Sequence, residues 1–251
     1  MHAIILAAGR GSRLLPLTTD LPKCLLPIGN TTVLGMQLDT LAAHGVETAT
    51  VITGFNAHMV EDEIKARQSG PSVETLFNPF FQVADNLASC WMARDAMHND
   101  FLLINGDTLF SPELLQTILA APSKDIAVTI DQKGYYDGDD MKVTLDGSRL
   151  TAIGKTLPLT QTDGESIGML RFMDAGPEIF RRELERLMRK PEGTKSWFLS
   201  AIHGLAMSGQ RIDTINIKGS DWSELDTTED YEVCRTLFGD SEAARKRFAV
   251  I

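Results

Sequence analysis

The order of segments in the first part of the chain limits the fold more than any other feature. Ala3–Leu6 is a continuous apolar run, Thr48–Thr53 is rich in β-branched residues, and Val73–Phe77 is a short third run. Phe101–Asn105 is a fourth, apolar until it ends at Gly106-Asp107. Runs without strict alternation are what strands covered on both faces look like. Between them, Leu34–His44 carries apolar residues at helical spacing (Leu34, Leu38, Leu41, Ala42) and stops at Gly45, a suitable C-terminal cap. Ala57–Arg67 reads as an acidic helix and Asn86–Met97 as another. Strand, helix, strand, helix, in that order, predicts a three-layer α/β sheet with right-handed crossovers.

The texture changes after residue 120. Ile126–Asp131, Met141–Leu145, Arg149–Gly154 and Ile167–Phe172 are short strand-like runs separated by turn residues such as Asp146-Gly147. They predict an antiparallel extension of the sheet. Pro177–Arg189 and Leu199–Met207 are patterned as helices, Arg211–Ile217 as a late strand, and Thr228–Leu237 as a closing helix. No linker-like stretch divides the chain. The expectation is one domain over 1–251, with a nucleotide-binding part at 1–120 and an acceptor-binding part with the closing helix at 121–251.

Thirty-four acidic against 24 basic side chains give a net charge of -10. A broad basic surface for nucleic-acid backbone is therefore excluded as an expectation. A small anionic ligand requires positive charge gathered in one place. Three scattered cysteines (Cys24, Cys90, Cys234) form no CxxC pair and read as reduced thiols. No stretch approaches the roughly eighteen apolar residues that span a bilayer. The apolar start, Met1–Ala8, has no basic flank and ends at Arg10, unlike a signal peptide. A cytoplasmic chain without membrane insertion is expected.

The gathered charge lies in Leu6-Ala7-Ala8-Gly9-Arg10-Gly11-Ser12-Arg13 and Pro22-Lys23-Cys24-Leu25-Leu26-Pro27. A strand that runs into small residues and glycines lets backbone approach a ligand and aim N–H groups at it. Arg10, Arg13 and Lys23 add three cations beside that loop, which is what a polyphosphate needs. Competing motifs fail. A dinucleotide fingerprint needs glycine at position 14, which is Leu14. Gly154-Lys155-Thr156 imitates the end of a P-loop, but Arg149 stands where its first glycine belongs. The five histidines show no metal-ligand spacing, and no Cys–His or nucleophile-elbow context points to covalent catalysis.

LAAGRGSRLLPLT followed by PKCLLPIG resembles the signature of the nucleotidyltransferases that activate sugar phosphates and related phosphomonoesters. Leu103–Asp107 is similar to that family's strand ending in a metal-binding aspartate, and Trp222–Thr227 to its late acidic motif. Asn78–Trp91, Met141-Lys142-Val143, Ile153-Gly154-Lys155 and Gly164–Gly168 resemble the phosphocholine cytidylyltransferase-like branch. The resemblance implies a Rossmann-like three-layer fold with a mixed central sheet. It implies Mg²⁺-dependent transfer of CMP from CTP to phosphocholine or 2-aminoethylphosphonate, with release of pyrophosphate. A sugar-1-phosphate uridylyl- or guanylyltransferase is the alternative, and a non-catalytic nucleotide-binding regulator a further one. Monomer or homodimer is expected.

The chemistry constrains the roles. Both reactants are polyanions, so catalysis is mainly charge neutralisation and alignment. Mg²⁺ takes a couple of carboxylates and leaves its other positions to phosphate oxygens and water. Asp107 and Asp226, with Glu224, suit that role; Arg13 and Lys23, with Gly9 and Gly11, suit the triphosphate. With the family's nucleotide in this loop, Ala7 and Ala8 are expected against base and ribose, Leu6 among the nucleotide-binding residues, and Asn78 or Asp85 as a reader of the base. Asn86, Ser89, Tyr135, Tyr136, Asp139, Lys142 and Lys155 are the candidate acceptor residues, the tyrosines for an ammonium group. Each has a plainer reading. Asp107 and Asp226 suit helix caps, Glu224 a surface carboxylate, and Lys142 and Lys155 exposed strand lysines. Asn86 and Ser89 suit the start of a helix, and Lys133–Asp140 a polar hairpin tip.

Overall fold

A computed structural model describes residues 1–217 and 221–239. In chain order, β1 (His2–Leu6) leads through a glycine-containing loop to two short strands, β2 (Pro27–Ile28) and β3 (Thr31–Thr32). Then come α1 (Val33–Ala43), β4 (Thr48–Thr53), α2 (Ala57–Ala66), β5 (Ser72–Phe77) and α3 (Asn86–Met92). β6 (Phe101–Asn105), β7 (Thr108–Phe110) and α4 (Pro112–Ala120) follow. Next are β8 (Ile126–Asp131), β9 (Lys142–Asp146), β10 (Arg149–Ile153) and β11 (Gly164–Phe172). α5 (Gly176–Met188), α6 (Leu199–Met207), β12 (Asp213–Asn216), β13 (Trp222–Glu224) and α7 (Thr228–Phe238) complete the described chain.

The contacts divide the chain into two compact units. One comprises Met1–Gln82, Ile104–Leu119 and, among the described residues, 221–239; the other comprises Val83–Leu103 and residues 120–217. In the first, β1 pairs in parallel with β4, and β4 with β5. Ala3, Ile4, Ile5, Val51 and Ile52 are fully or nearly fully buried, as continuous apolar strands under helices on both faces should be. Two antiparallel ribbons, β2–β3 and β7–β13, are added to it. In the second unit β11 runs antiparallel to β8 and β9, and β9 antiparallel to β10. β12 lies parallel to β8 and antiparallel to β10, so this sheet is mixed. The closing helix α7 belongs with the first unit.

The helix expected at Asn86–Met97 stops being α-helical at Met92 and continues as a 3-10 turn over Ala93–Ala96. The late strand expected at Arg211–Ile217 is shorter, Asp213–Asn216. The three cysteines are free and buried. No helix among the described residues is long and apolar enough to cross a membrane.

Candidate active site

The site forms where apolar positions of the first unit alternate with charged ones. Leu14, Leu26, Ile28, Val33, Met36, Leu109, Leu225, Tyr231, Cys234 and Phe238 make one buried cluster. Their chain neighbours carry the charge. Arg13 precedes Leu14, Lys23 lies three residues before Leu26, Asp107 two before Leu109, and Glu224 and Asp226 flank Leu225. Burying the leucines therefore draws loops far apart in sequence to one place.

Several hydrogen bonds fix that place. Leu225 N–H donates to the Asp107 carbonyl at 3.0 Å, joining the two acidic segments directly. Gln37 on α1, buried, donates to the Asn105 and Thr108 carbonyls at 2.9 and 2.8 Å and so clamps the turn that carries Asp107. Tyr231 Oη on α7 donates to the Pro27 carbonyl at 2.9 Å, tying the closing helix to the end of the Lys23 loop. Gly106 passes so close to β1 that a Cβ there would lie 2.7 Å from the Leu6 carbonyl oxygen and 2.9 Å from Ala7 Cα. Gly11 needs glycine twice over: its φ is +72°, and a Cβ would meet the Lys23 stem at 3.0 Å.

Lys23 is the centre of the charge arrangement. Its Nζ lies 2.6 Å from Asp107 Oδ2 and 2.7 Å from Asp226 Oδ1, and its side chain is only 14% exposed. Burial alone would lower its pKa, but the two carboxylates outweigh that and raise it, so the ammonium stays charged. Arg13 Nη2 reaches Asp226 Oδ2 at 2.6 Å from a half-exposed position. Arg10 lies apart from this network, its guanidinium 5.1 Å from the centroid of the Phe55 ring.

Asp107, Glu224 and Asp226 each offer a carboxylate oxygen within 4.8 Å of the others. Asp107 Oδ1 is buried without a hydrogen-bond partner, although its sister oxygen holds Lys23. Three hard oxygen donors with one such oxygen suit a hard divalent cation such as Mg²⁺. Capping does not explain these acids. Asp226 leaves the cap of α7 to Thr227, which forms a reciprocal capping box with Asp230. At α4 it is Ser111 Oγ that accepts from Leu114 N–H, at 3.2 Å.

The remaining candidates fall in both units. Leu6, Ala7, Ala8, Gly9, Gly11 and Asn78 are in the first, with Ala7 and Ala8 nearly buried. Asn78 is fully buried, and its Oδ1 accepts from Phe80 N–H at 2.8 Å. Asp85 and all the acceptor candidates are in the second unit. Asp85 holds the N-cap position of α3 without a side-chain cap bond. Asn86 Oδ1 accepts from Phe198 N–H at 2.9 Å, and Ser89 is buried in the same helix. Tyr135 is 74% exposed, whereas Tyr136 Oη accepts from Lys133 N–H at 3.2 Å. Lys155 lies 3.3 Å from Asp139 and 5.2 Å from the Trp197 ring centroid. Lys142 is neither an exposed strand lysine nor paired with an acid here. It is 2% exposed, and its Nζ donates to the Asp137 and Asp140 carbonyls at 2.7 and 3.3 Å. Sequence reasoning singled out the segment Lys133–Asp140 but gave Lys133 and Asp140 no role of their own. It passed over the roles of Glu165, which joins them in knitting the segment together, and of Gln37. The signal for Glu165 was its place in Gly164–Gly168, a segment noticed only for its resemblance.

The first unit ends a parallel strand in a small-residue loop and gathers two cations and three carboxylates beside it, an arrangement suited to phosphate groups and a divalent ion. The family model for nucleotidyl transferases matches residues 2–138, and the chain belongs to that family. The CMP-5'-(3-aminopropyl)phosphonate synthase of Streptomyces rubellomurinus is 26% identical over 92% of this chain and 37% of its own length. The CTP:phosphoglutamine cytidylyltransferase of Campylobacter jejuni is 23% identical over 93% of this chain and 98% of its own. The N-acetylmuramate alpha-1-phosphate uridylyltransferase of Caulobacter vibrioides is 42% identical over 62% of this chain and 71% of its own. The chain thus spans well under two thirds of the first of these relatives. In fold it is similar to the inositol-1-phosphate CTP transferase from T. maritima, with a TM-score of 0.79, 18% identity, and coverage of 96% of this chain and 97% of that one. The fold is the Rossmann-like one of that neighbour, with α/β layers and a mixed sheet.

Proposed function

We propose that the chain is a Mg²⁺-dependent cytidylyltransferase that moves CMP from CTP to a phosphonate or phosphomonoester carrying an amine, such as 2-aminoethylphosphonate or phosphocholine. The observation that carries the nucleotidyl-transfer part is the Lys23 ammonium held between Asp107 and Asp226, with Arg13 on the outer edge of Asp226. Three carboxylates against two cations leave one formal negative charge, which a divalent ion would turn positive toward a triphosphate.

In this reading an acceptor oxygen attacks the α-phosphorus, the bond to the bridging oxygen breaks, and pyrophosphate leaves. The acceptor oxygen is already ionised, so no general base is required. Arg13 and Lys23 neutralise the triphosphate and the charge that builds on the leaving group. Gly9 and Gly11 let backbone approach it. Asp107, Asp226 and Glu224 would hold Mg²⁺, whose charge would neutralise phosphate oxygens there. CTP as donor is supported by the aminopropylphosphonate synthase and the phosphoglutamine cytidylyltransferase among the relatives. A uridylyl transfer to a sugar 1-phosphate is the second reading, favoured by the 42% identity to the N-acetylmuramate-phosphate enzyme.

The test is pyrophosphate release with Mg²⁺ and CTP, UTP, GTP, ATP or dTTP, each against 2-aminoethylphosphonate, phosphocholine and sugar 1-phosphates. Release with CTP and an amine-bearing acceptor is expected, together with its loss in Asp107→Ala. Release only with UTP and a sugar phosphate would overturn the cytidylyl reading. Unchanged function in Asp107→Ala would instead favour a nucleotide-binding regulator.

A further inference from the structure

The segment between β8 and β9 holds three of the proposed acceptor residues, and one residue outside it is in register with the strand residues at both its ends. Glu165, on β11, is the register partner of Asp131, the last residue of β8, and of Lys142, the first of β9. Residues 132–141 therefore leave and re-enter the sheet on either side of Glu165. Directly paired residues in neighbouring strands project to the same face, so Asp131, Glu165 and Lys142 share the face beneath this segment.

The Glu165 side chain is 4% exposed, and Lys133 Nζ reaches its Oε1 at 2.9 Å. The same ammonium reaches Asp140 Oδ1 at 3.0 Å and stands 5.8 Å from the Tyr136 ring centroid. Asp140 Oδ2 in turn accepts from Asp137 N–H at 2.7 Å, and Asp137 Oδ1 accepts from the N–H groups of Asp139 and Asp140 at 2.7 and 3.1 Å. Lys142 closes the base by donating to the Asp137 and Asp140 carbonyls. Polar side chains thus organise the loop internally, and the Lys133–Glu165 pair ties that organisation to the sheet.

The charged groups of this segment and its base are the carboxylates of Asp131, Asp137, Asp139, Asp140 and Glu165 and the ammonium groups of Lys133, Lys142 and Lys155. Five acids against three bases leave the segment that carries Tyr135 and Tyr136 with an excess of negative charge. We propose that Glu165 is the positioning residue of the acceptor segment 132–141, and that the charge it contributes favours acceptors bearing an aliphatic ammonium group. The proposal rests on the reading of this segment as acceptor-binding. Burial, and then a hydrogen bond with Asp140, push the Glu165 carboxyl up to about 7, with Lys133 opposing the rise. Asp140 is held below the usual carboxylate range: burial raises it, but hydrogen bonds with Glu165, the Asp137 amide and Lys133 outweigh that. A single proton on Glu165 near neutral pH therefore lowers that excess of negative charge.

The experiment compares wild type, Glu165→Gln and Glu165→Asp, with CTP and either 2-aminoethylphosphonate or ethylphosphonate, from pH 6 to 8. For 2-aminoethylphosphonate, Glu165→Gln should raise KM about tenfold and leave kcat and the KM for CTP within about twofold. Glu165→Asp should recover part of the loss. Ethylphosphonate, which has no amine, should show no such rise. The fall in wild-type aminoethylphosphonate KM with rising pH should exceed that of Glu165→Gln, which shares the acceptor's own ionisation. An unchanged aminoethylphosphonate KM, an equal rise for both phosphonates, or a loss confined to kcat and the KM for CTP would each overturn the proposal.

Hydrogen exchange of residues 133–141 reads the anchoring without turnover. Exchange several-fold faster in Glu165→Gln than in wild type is expected, and equal exchange overturns the anchoring. Wild type that turns over neither phosphonate would refute the acceptor reading and the ammonium preference with it, and the exchange comparison would still decide the anchoring.

Discussion

Replacing Lys23 with methionine tests the centre of the candidate site. Methionine keeps most of the apolar stem that packs on Gly11 and removes the ammonium lodged 2.6 Å from Asp107 and 2.7 Å from Asp226. Two effects follow, and their sizes differ. In catalysis, a preorganised charge aimed at developing negative charge is worth about 2.7–4 kcal/mol, so pyrophosphate release should fall by roughly 10²–10³-fold. In stability, the variant leaves Asp107 and Asp226 facing each other with Glu224 within 4.8 Å. Breaking a fully buried pair costs about 3–5 kcal/mol, but these side chains keep 14–24% of their exposure and water screens them. A cost of about 1–2 kcal/mol is expected, lowering Tm by a few degrees. Because the lost charge is positive, Mg²⁺ should raise the Tm of Lys23→Met more than that of wild type. The assays are pyrophosphate release under saturating substrates and thermal unfolding with and without Mg²⁺. Turnover within threefold of wild type would refute the role given to Lys23, whatever happened to Tm. Equal Mg²⁺ shifts in the two proteins would refute the placing of the ammonium between metal-binding carboxylates.

Three further expectations follow from single positions. Gly106→Ala places a methyl against backbone of β1, 2.7 Å from the Leu6 carbonyl oxygen, where nothing flexible can yield. It should cost roughly 1–3 kcal/mol in denaturant unfolding, with activity falling further because Asp107 is the next residue. Thr227→Ala removes the capping box of α7 and should cost about 1 kcal/mol, measured the same way, while weakening Mn²⁺ binding through the adjacent Asp226. Glu165 sets a pH dependence of stability. Its folded value, about 7, lies above its ordinary 4.5, so its contribution is fully present below about 4.5 and lost as pH rises through about 7. Stability should fall across that window in wild type and fall less in Glu165→Gln, whereas Asp140, shifted downward, acts only below the window.

Much of the fold was legible in the sequence because its longer elements carry their burial as a pattern. The β-branched run Thr48–Thr53, the apolar run Phe101–Asn105 and the helix Leu199–Met207 have the bounds that their residues indicate. The ribbons β7–β13 and β2–β3 were not legible, since strands of two or three residues are too short to show a period. Yet β7 and β13 are what bring Asp107 beside Glu224. The acidic segments were picked out by a resemblance, whereas Arg13 and Lys23 stood out as positive charge gathered beside a glycine loop, and locally Asp226 suited a helix cap equally well. The cap itself goes to Thr227, one residue on, whose hydroxyl takes it with Asp230 as its reciprocal partner, which leaves Asp226 out of that role. The segment Lys133–Asp140 was ambiguous for a different reason. Its partner, Glu165, lies on β11, and only strand register brings it under both ends of the loop.

The same dependence of charge on packing can be tested without touching a charged group. Leu225 is fully buried in the cluster that also holds Leu14, Leu26, Leu109 and Tyr231, and it separates Glu224 from Asp226. Its N–H is the hydrogen bond to the Asp107 carbonyl, so its backbone and its side chain both set the spacing of the three carboxylates. Leu225→Ala removes no ligand and no cation. It leaves a cavity beneath the acidic segment and should cost about 2–5 kcal/mol in unfolding free energy. Leu225→Met, nearly equal in volume, should cost less than about 1.5 kcal/mol. If buried leucines are what hold the carboxylates at ligand spacing, Mn²⁺ affinity should fall in Leu225→Ala and recover in Leu225→Met, measured well below either Tm. Equal affinity in all three proteins would mean that the loops hold their own geometry and that the core contributes stability alone.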